Sequence, residues 1–200
     1  MQQLVIASNN AGKLRELESL LGPLGIEVIP QGRLAIPEAD EPHPTFVENA
    51  LAKARHASQA SGLPALADDS GLCVEALQGA PGVHSARFAG EPKSDERNND
   101  LLLQRMANER DRRAYFYCAV VLVRGERDPR PLIAEGVWNG EILGQRRGGE
   151  GFGYDPLFLD PVLGKTAAEL NLAEKNKVSH RGQALDRLFA RLRTGPDRKP

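Results

Sequence analysis

The sequence predicts an α/β fold in which helices flank a long mixed β-sheet. In the first half of the chain, short apolar segments alternate with amphipathic helical segments, an order typical of parallel strands. In the second half, apolar runs at 115–123 and 132–138 flank a turn-rich stretch, which predicts two neighbouring antiparallel strands. A chain of 200 residues is long enough for one domain, or one domain with two lobes, and a substantial core.

Composition excludes several classes of protein. The net charge of -1 excludes a generally basic protein that coats nucleic acid, although a local basic cleft stays possible. The N-terminal run is too short for a signal peptide, and no segment approaches the roughly 20 apolar residues of a membrane-spanning helix. Cys73 and Cys118 each lie in an apolar segment without metal-ligand spacing, which indicates buried thiols in a reducing compartment. We therefore expect a cytoplasmic protein without nucleic-acid or membrane partners.

The first predicted strand, residues 4–7, opens onto a short polar loop before a leucine-striped helix. The loop residues are Ser8, Asn9, Asn10, Ala11, Gly12 and Lys13. Free amides and the helix dipole favour phosphate at such a helix N-terminus, and Lys13 adds a positive charge. An ordinary helix cap beside a solvated lysine explains the same residues equally well.

A second predicted helix follows an irregular, proline-rich segment at 30–44 that carries Glu41 in an acidic cluster. Acidic runs are usually solvated, but a long irregular segment in a compact domain is more often functional. Thr45 and Glu48 form a capping-box pattern at the start of the helix. Lys53 lies off the apolar stripe of this helix, so it points either into a cleft or into solvent.

Two adjacent carboxylates, Asp68 and Asp69, follow an apolar run at 63–67. We expect a strand to end at them, a break at Ser70 and Gly71, and a second strand beyond. Because side chains on a strand alternate, the two carboxylates should point to opposite faces. Carboxylates at a strand end suit Mg²⁺, which prefers hard oxygen ligands. A turn whose side chains only cap backbone amides is the simpler alternative for this segment alone.

A glycine-rich loop at 148–156 places Phe152 between glycines. Glycines let the backbone approach a ligand closely, and an exposed ring there could stack on a base. A hairpin whose phenylalanine packs into the core is the open alternative. The spacing does not match the G-x-G-x-x-G fingerprint of dinucleotide-binding proteins.

The last predicted helix begins after Ser179 and has a clean apolar stripe between 184 and 192. His180 and Arg181 lie in its first turn, where positive charge opposes the helix dipole. This basic pair, together with Lys175, indicates an anionic or polar ligand nearby.

Six motifs in this order resemble one family over about residues 4–193. They are Ser8–Lys13, Thr45–Ala50, Ala67–Leu72, Gly79–Gly82 with Ser85–Phe88, Gly151–Pro156 and Ser179–Gly182. Together they resemble the inosine/xanthosine triphosphate pyrophosphatases, which hydrolyse non-standard purine nucleoside triphosphates. The resemblance implies a homodimeric α/β protein with one domain at 1–193 and a nucleotide cleft between two lobes. The polar residues at 194–200 are expected to form a flexible tail.

The resemblance also implies the reaction and its residues. Mg²⁺ would assist hydrolysis of ITP, dITP or XTP to the monophosphate and pyrophosphate, which cleanses the nucleotide pool before misincorporation into DNA and RNA. Glu41 and Asp69 would bind the metal, with Asp68 as a further possible ligand, and Asp69 would be the general base. Substrate contacts are implied for Ser8, Asn9, Asn10, Ala11, Gly12, Lys13, Lys53, Ser70, Phe152, Gly153, Tyr154, Asp155, Lys175, His180 and Arg181.

Selectivity for the base follows from hydrogen bonding. Inosine and xanthosine present O6 where adenine presents an amino group, so a donor such as Arg181 or His180 aimed at O6 would reject adenine. Two other functions remain to be weighed. One is a pyrophosphatase for modified pyrimidine nucleotides, and the other is a nucleotide sensor without catalysis.

Overall fold

The computed structural model describes residues 3–194, whose strands form one seven-stranded sheet flanked by helices. The strands, in chain order, are β1 (Gln3–Ile6), β2 (Glu27–Pro30), β3 (Ala65–Val74), β4 (Arg113–Val123), β5 (Leu132–Ile142), β6 (Phe158–Asp160) and β7 (Lys165–Thr166). The α-helices are α1 (Ala11–Leu21), α2 (Phe46–Ser61), α3 (Asp95–Arg105), α4 (Leu172–Val178) and α5 (His180–Thr194).

The strand order in the sheet is β2-β1-β3-β4-β5-β6-β7. Strand β1 is parallel to both β2 and β3, whereas β6 is antiparallel to both β5 and β7. The prediction of a mixed sheet in an α/β fold is therefore confirmed. The two long apolar runs of the second half are neighbouring strands, β4 and β5, as their spacing predicts.

Strand β3 is continuous through the two aspartates, so the predicted break at Ser70 and Gly71 is wrong. The strand lies between β1 and β4, and every residue in it except Ser70 is buried. A turn inside the sheet would leave buried amides and carbonyls without strand partners, and the unbroken strand avoids this cost.

The chain divides into two compact units. Unit 1 comprises Met1–Asp69, Cys118–Gly136 and Arg181–Pro200, and unit 2 comprises Ser70–Tyr117 and Val137–His180. The two cores of unit 1 lie on opposite sides of its strands. In one, Leu66 packs with residues of α1 and α5, and in the other, Ala67 packs with residues of α2.

The core of unit 2 is rich in aromatic side chains. Phe116 of β4, Trp138 of β5 and Phe158 of β6 lie together, with ring centroids between 4.5 and 6.3 Å apart. The indole nitrogen of Trp138 donates to Asp160 Oδ2 over 2.8 Å, so its polar atom is satisfied inside the core.

The helix predictions hold with one omission. Thr45 caps α2, with Glu48 as its partner, and the predicted stripe of α5 is in the core of unit 1. Helix α4, which contains Lys175, is the omission, because no separate helix is predicted before α5. A capping box formed by Asn171 and Glu174 starts α4, and this Asn-x-x-Glu spacing is the signal that predicts it.

Both cysteines are buried free thiols, as predicted. Within residues 3–194, no helix combines the length and apolarity needed to cross a membrane. Helix α5 continues through Thr194, and the rest of the predicted tail, 195–200, lies outside the described residues. The domain boundary and the nucleotide cleft stay predictions.

Candidate functional site

The polar loop before α1 forms a helix cap. Asn10 is the N-cap residue, and its Oδ1 accepts from the Lys13 amide over 3.0 Å. Ser8 Oγ accepts from the Asn10 amide, and Asn9 donates to the carboxylate of Glu38. Ala11 and Gly12 are the first two residues of the helix. The capping interpretation is therefore correct for Asn10.

The capping interpretation expects a solvated Lys13, but the side chain of this lysine is largely buried. Its Nζ lies 3.1 Å from Asp68 Oδ2 and its side chain is 16% exposed. The loop therefore caps α1 and also brings an ammonium group to the strand that carries the two aspartates.

Asp68 belongs to a buried chain of charges on the side of β3 that packs against α1 and α5. Arg181 donates to Asp68 Oδ2 through Nη2 at 2.9 Å and through Nε at 3.3 Å. Its Nη1 is bonded to Glu16 of α1. Burial alone would raise the pKa of Asp68, but Lys13 and Arg181 hold that pKa well below its usual range.

This position of Arg181 differs from the one expected for a residue that binds a base. The guanidinium is 1% exposed and spans two buried carboxylates. Its observed contacts orient Asp68 and Glu16 rather than present donors to a ligand. The sequence-based site does not include Glu16. Glu16 lies four residues before Leu20, at the edge of the apolar stripe of α1, and an acid buried at such a position needs a cationic partner.

Asp69 faces α2 on the other side of β3. Lys53 Nζ lies 2.6 Å from Glu41 Oε1 and 3.3 Å from Asp69 Oδ1, so one ammonium joins both predicted metal ligands. Asn49 donates to Asp69 Oδ2 over 3.2 Å and exchanges two hydrogen bonds with the backbone of His43. Asn49 therefore ties the irregular segment before α2 to Asp69, a role that the sequence-based site does not include.

Electrostatics separate Asp69 from Asp68. Burial raises the pKa of the Asp69 carboxyl, opposed by Lys53 and Lys13 and reinforced by the charges of Glu41 and Asp68. Burial by itself would lower the pKa of Lys53, but these carboxylates reverse the effect and raise it. Asp69 is therefore a stronger proton acceptor than an ordinary aspartate.

Glu41 and Asp69 fit a magnesium ion by their chemistry. Each directs a carboxylate oxygen at the same cation, the ammonium of Lys53, so the position already favours positive charge. Mg²⁺ commonly takes one or two carboxylates and retains several waters. Across residues 3–194, no three His, Cys, Asp or Glu side chains form a metal-binding group. Asp68 is a weaker choice of ligand because its side chain is fully buried and two cations, Lys13 and Arg181, already bind its Oδ2.

The glycine-rich loop of unit 2 places Phe152 beside a buried ion pair. Lys175 Nζ lies 2.6 Å from Asp155 Oδ2 and 4.9 Å from the centre of the Phe152 ring. Asp155 Oδ2 also accepts from the Phe152 amide over 3.0 Å. A Cβ on Gly151 would collide with the same oxygen, and Gly151 also has a positive φ, so glycine is required there. The Phe152 ring is half-buried against a cation.

The other predicted residues of unit 2 have structural contacts. Tyr154 is in the core, where its hydroxyl donates to the Ser85 carbonyl over 2.8 Å. His180 is 5% exposed and stacks on Phe116, with ring centroids 4.8 Å apart. Ser70 lies within β3.

The structure therefore brings the predicted residues together in two groups. In unit 1, charges join Lys13, Glu41, Lys53, Asp68, Asp69 and Arg181. In unit 2, the Phe152 loop and Lys175 share Asp155, while Tyr154 and His180 pack elsewhere in the core of that unit.

Comparisons with known proteins agree with the motifs. A model described as the Ham1 family matches residues 4–191. The dITP/XTP pyrophosphatase of Aromatoleum aromaticum is 68% identical over 194 residues, which cover 97% of this chain and 98% of that protein. That of Nitrosomonas europaea is 64% identical over 192 residues, with 96% and 95% covered.

Solved structures give the same result. A HAM1 protein from Coxiella burnetii has a TM-score of 0.89 and 49% identity, covering 98% of this chain and 100% of its own. The Staphylococcus aureus Ham1 protein has a TM-score of 0.85 and 41% identity, with 96% and 98% covered. The nearly full-length family match and these close relatives show that the chain belongs to the Ham1 family, which confirms the resemblance carried by the motifs.

Proposed function

We propose that this protein hydrolyses non-standard purine nucleoside triphosphates, namely dITP, ITP and XTP, to the nucleoside monophosphate and pyrophosphate. The names of its curated relatives support this substrate class. The observation that carries the proposal is the ammonium of Lys53 held between Glu41 and Asp69, with Lys13 beside the neighbouring aspartate. Hydrolysis of a phosphoanhydride at a metal ion uses carboxylates to hold the metal and cations to bind the phosphates, and both kinds of group meet beside β3.

Glu41 and Asp69 would hold Mg²⁺ in this proposal. When bound, the ion would supply charge neutralisation on the phosphate oxygens and lower the pKa of a coordinated water. A triphosphate carries up to about four negative charges, so Lys13 and Lys53 would also be needed to bind it and to stabilise the departing pyrophosphate.

Asp69 would act as the general base that takes the proton of the attacking water. Its position supports this role, because Asp69 lies with Glu41 around the ammonium of Lys53, where the metal would hold the attacking water within its reach. Asn49 holds the other carboxylate oxygen of Asp69 and would keep the group oriented.

Phe152 would stack on the base, with Lys175 as a charged donor beside the ring. Ser8, Asn10 and the backbone of the loop at 8–13 would bind the phosphates through the start of α1. For Arg181, the buried contacts support an indirect role in which it orients Asp68, and with it Lys13.

The remaining expectations belong to the same proposal. The protein would act as a homodimer in the cytoplasm and remove damaged purine nucleotides before polymerases use them. Sedimentation at micromolar concentration tests the dimer, and a purely monomeric species would remove it from the proposal.

The deciding experiment measures pyrophosphate release from dITP, XTP, GTP, ATP and a pyrimidine triphosphate, with Mg²⁺ and with EDTA. We expect metal-dependent release from dITP and XTP and little from the standard nucleotides. Release from the pyrimidine nucleotide alone would keep the chemistry and overturn the base assignment. Binding without release would favour the non-catalytic sensor.

A further inference from the structure

Helix α3 contacts the Phe152 loop through two side chains that the proposed function does not use. Asp95 Oδ2 accepts from the Gly153 amide over 2.7 Å. Asn99 Nδ2 donates to the Gly153 carbonyl over 2.8 Å. One glycine therefore has both of its backbone polar groups bound by side chains from one helix.

The spacing of these two residues explains how one helix can hold both groups. Asp95 and Asn99 are four residues apart, so they lie on the same face of α3, one turn from each other. Asn99 Nδ2 also donates to the Asp95 carbonyl over 2.7 Å, which fixes its amide plane. Ser94 caps the helix immediately before Asp95. We name Asp95 and Asn99 the α3 clamp.

Asn99 acts through its nitrogen. The residue is 3% exposed, and its oxygen accepts no hydrogen bond from any residue in the described part of the chain. A buried polar side chain that leaves one atom unsatisfied has a cost, so the two donated bonds must outweigh it. Exchange of this nitrogen for oxygen therefore removes both donated bonds and turns the contact with the Gly153 carbonyl into a repulsion, without changing the size of the side chain.

Gly153 has no side chain, so the loop is held at this residue through backbone groups. Gly153 has a φ of +61° and Gly151 a φ of +79°, so the chain around Phe152 uses left-handed backbone conformations that glycine adopts readily and other residues rarely adopt. Such a segment loses much conformational entropy when it is ordered. Asp155 binds the amide of Phe152, and the α3 clamp binds the next two peptide groups through the amide and the carbonyl of Gly153.

We propose that Asp95 and Asn99 are positioning residues that set the affinity for the nucleobase by holding Gly153, and through it the ring of Phe152. The inference rests on the proposed function, in which that ring stacks on the base. A ring already held in its binding orientation avoids an ordering cost when the base arrives. Loss of the clamp should therefore weaken base binding and leave the hydrolytic step intact.

The test uses steady-state kinetics of the full-length protein with dITP and Mg²⁺. Asp95→Ala removes one hydrogen bond to Gly153, and Asn99→Asp removes the two bonds that its nitrogen donates. Each should raise KM at least about tenfold, because the ring is less ordered, with kcat changed by less than about twofold. Asp95→Asn keeps an acceptor oxygen and should restore most of the affinity. Glu96→Ala, which removes an exposed acid from the same helical turn, is the matched control.

Two further measurements separate positioning from general structural damage. Inorganic tripolyphosphate has no base, so its inhibition constant should be unchanged in both clamp variants. In a Phe152→Ala background, Asn99→Asp should add nothing to KM, because its effect passes through the ring. Additive effects, an equal loss of tripolyphosphate binding, or unchanged KM would each overturn the inference.

The outcomes also distinguish the inference from the proposed function. Wild-type protein that releases no pyrophosphate from dITP or XTP would overturn both. Active wild-type protein with unaffected clamp variants would overturn the inference alone. If Asn99→Asp does not fold, as judged by thermal unfolding, Asp95→Ala at its exposed position decides the question.

Discussion

Asp68 is bound by Lys13 and Arg181 on the side of β3 that faces α1 and α5, whereas Asp69 next to it is bound by Asn49 and Lys53 from α2. The first carboxylate has a depressed pKa and the second a raised one. Strand alternation alone sends two identical side chains into these different surroundings. Ion pairing makes the first a fixed structural charge, while the second keeps the properties of a base.

The largest effect should follow substitution of the second carboxylate. Asp69→Asn keeps the size and the hydrogen bond from Asn49 but removes the proton acceptor. We expect turnover of dITP to fall by about 10²- to 10⁴-fold, the usual contribution of a general base, while substrate binding persists. Pyrophosphate release and equilibrium binding of dITP measure the two quantities. Near-normal turnover would remove Asp69 from the catalytic role.

Asp68→Asn should instead cost stability. It leaves Arg181 and Lys13 without their shared partner, and breaking a buried pair typically costs about 3 kcal/mol or more. Because the folded-state pKa of Asp68 is depressed, its contribution is complete above the unfolded pKa of about 4 and is lost as the pH falls below it. The gap in free energy of unfolding between variant and wild type should thus narrow from pH 5 towards pH 2.

Urea titrations at several pH values measure this gap. Asp186→Asn, an exposed acid on α5, is the control and should change the free energy of unfolding by less than about 0.5 kcal/mol. A gap that does not depend on pH would contradict the assignment of Asp68 as a fixed charge.

Glu16→Gln should give a smaller loss on the same side of β3. The amide can still accept from Arg181, but the charge that opposes the guanidinium is gone. We expect a loss of about 1–2 kcal/mol in the free energy of unfolding, the range for a hydrogen bond to a charged group. Glu18→Gln on the exposed face of α1 should be silent, and an equal loss in both variants would argue against the buried chain of charges.

The smallest effect concerns thiol chemistry beside Asp68. Cys118 Sγ lies 4.0 Å from Asp68 Oδ2, and burial, with this charge, raises the pKa of the thiol to about 12. Burial also raises the pKa of Cys73. A disulfide reagent at pH 8 should therefore leave both thiols of the folded protein unmodified and modify both in denaturant. Rapid labelling of Cys118 in the folded state would contradict its burial.

The sequence predicts most of what depends on local pattern. Helix stripes, the Thr45 cap and the alternation at Asp68 and Asp69 follow from periodicity and capping rules, and the structure agrees. The continuity of β3 does not follow from them, because Ser70 and Gly71 resemble a turn until flanking strands bind their backbone.

The contact between Glu16 and Arg181 does not follow from the sequence, for a different reason. The two residues are 165 positions apart in the chain, so no local window reveals that they meet. Charges near a helix start indicate a ligand when only the sequence is considered, but a buried acid from another helix satisfies the same charge. Ion pairs between residues far apart in the chain therefore cannot be predicted from local sequence patterns.

Trp138 is the single tryptophan of the chain, and it is buried in unit 2 with its indole bound to Asp160. Excitation at the red edge of the absorption band would therefore report the environment of unit 2 and of no other part of the protein. Followed alongside far-ultraviolet circular dichroism, which averages over all helices and strands, this natural fluorophore would show whether the two units melt in one transition or in two. No label or engineered probe is required.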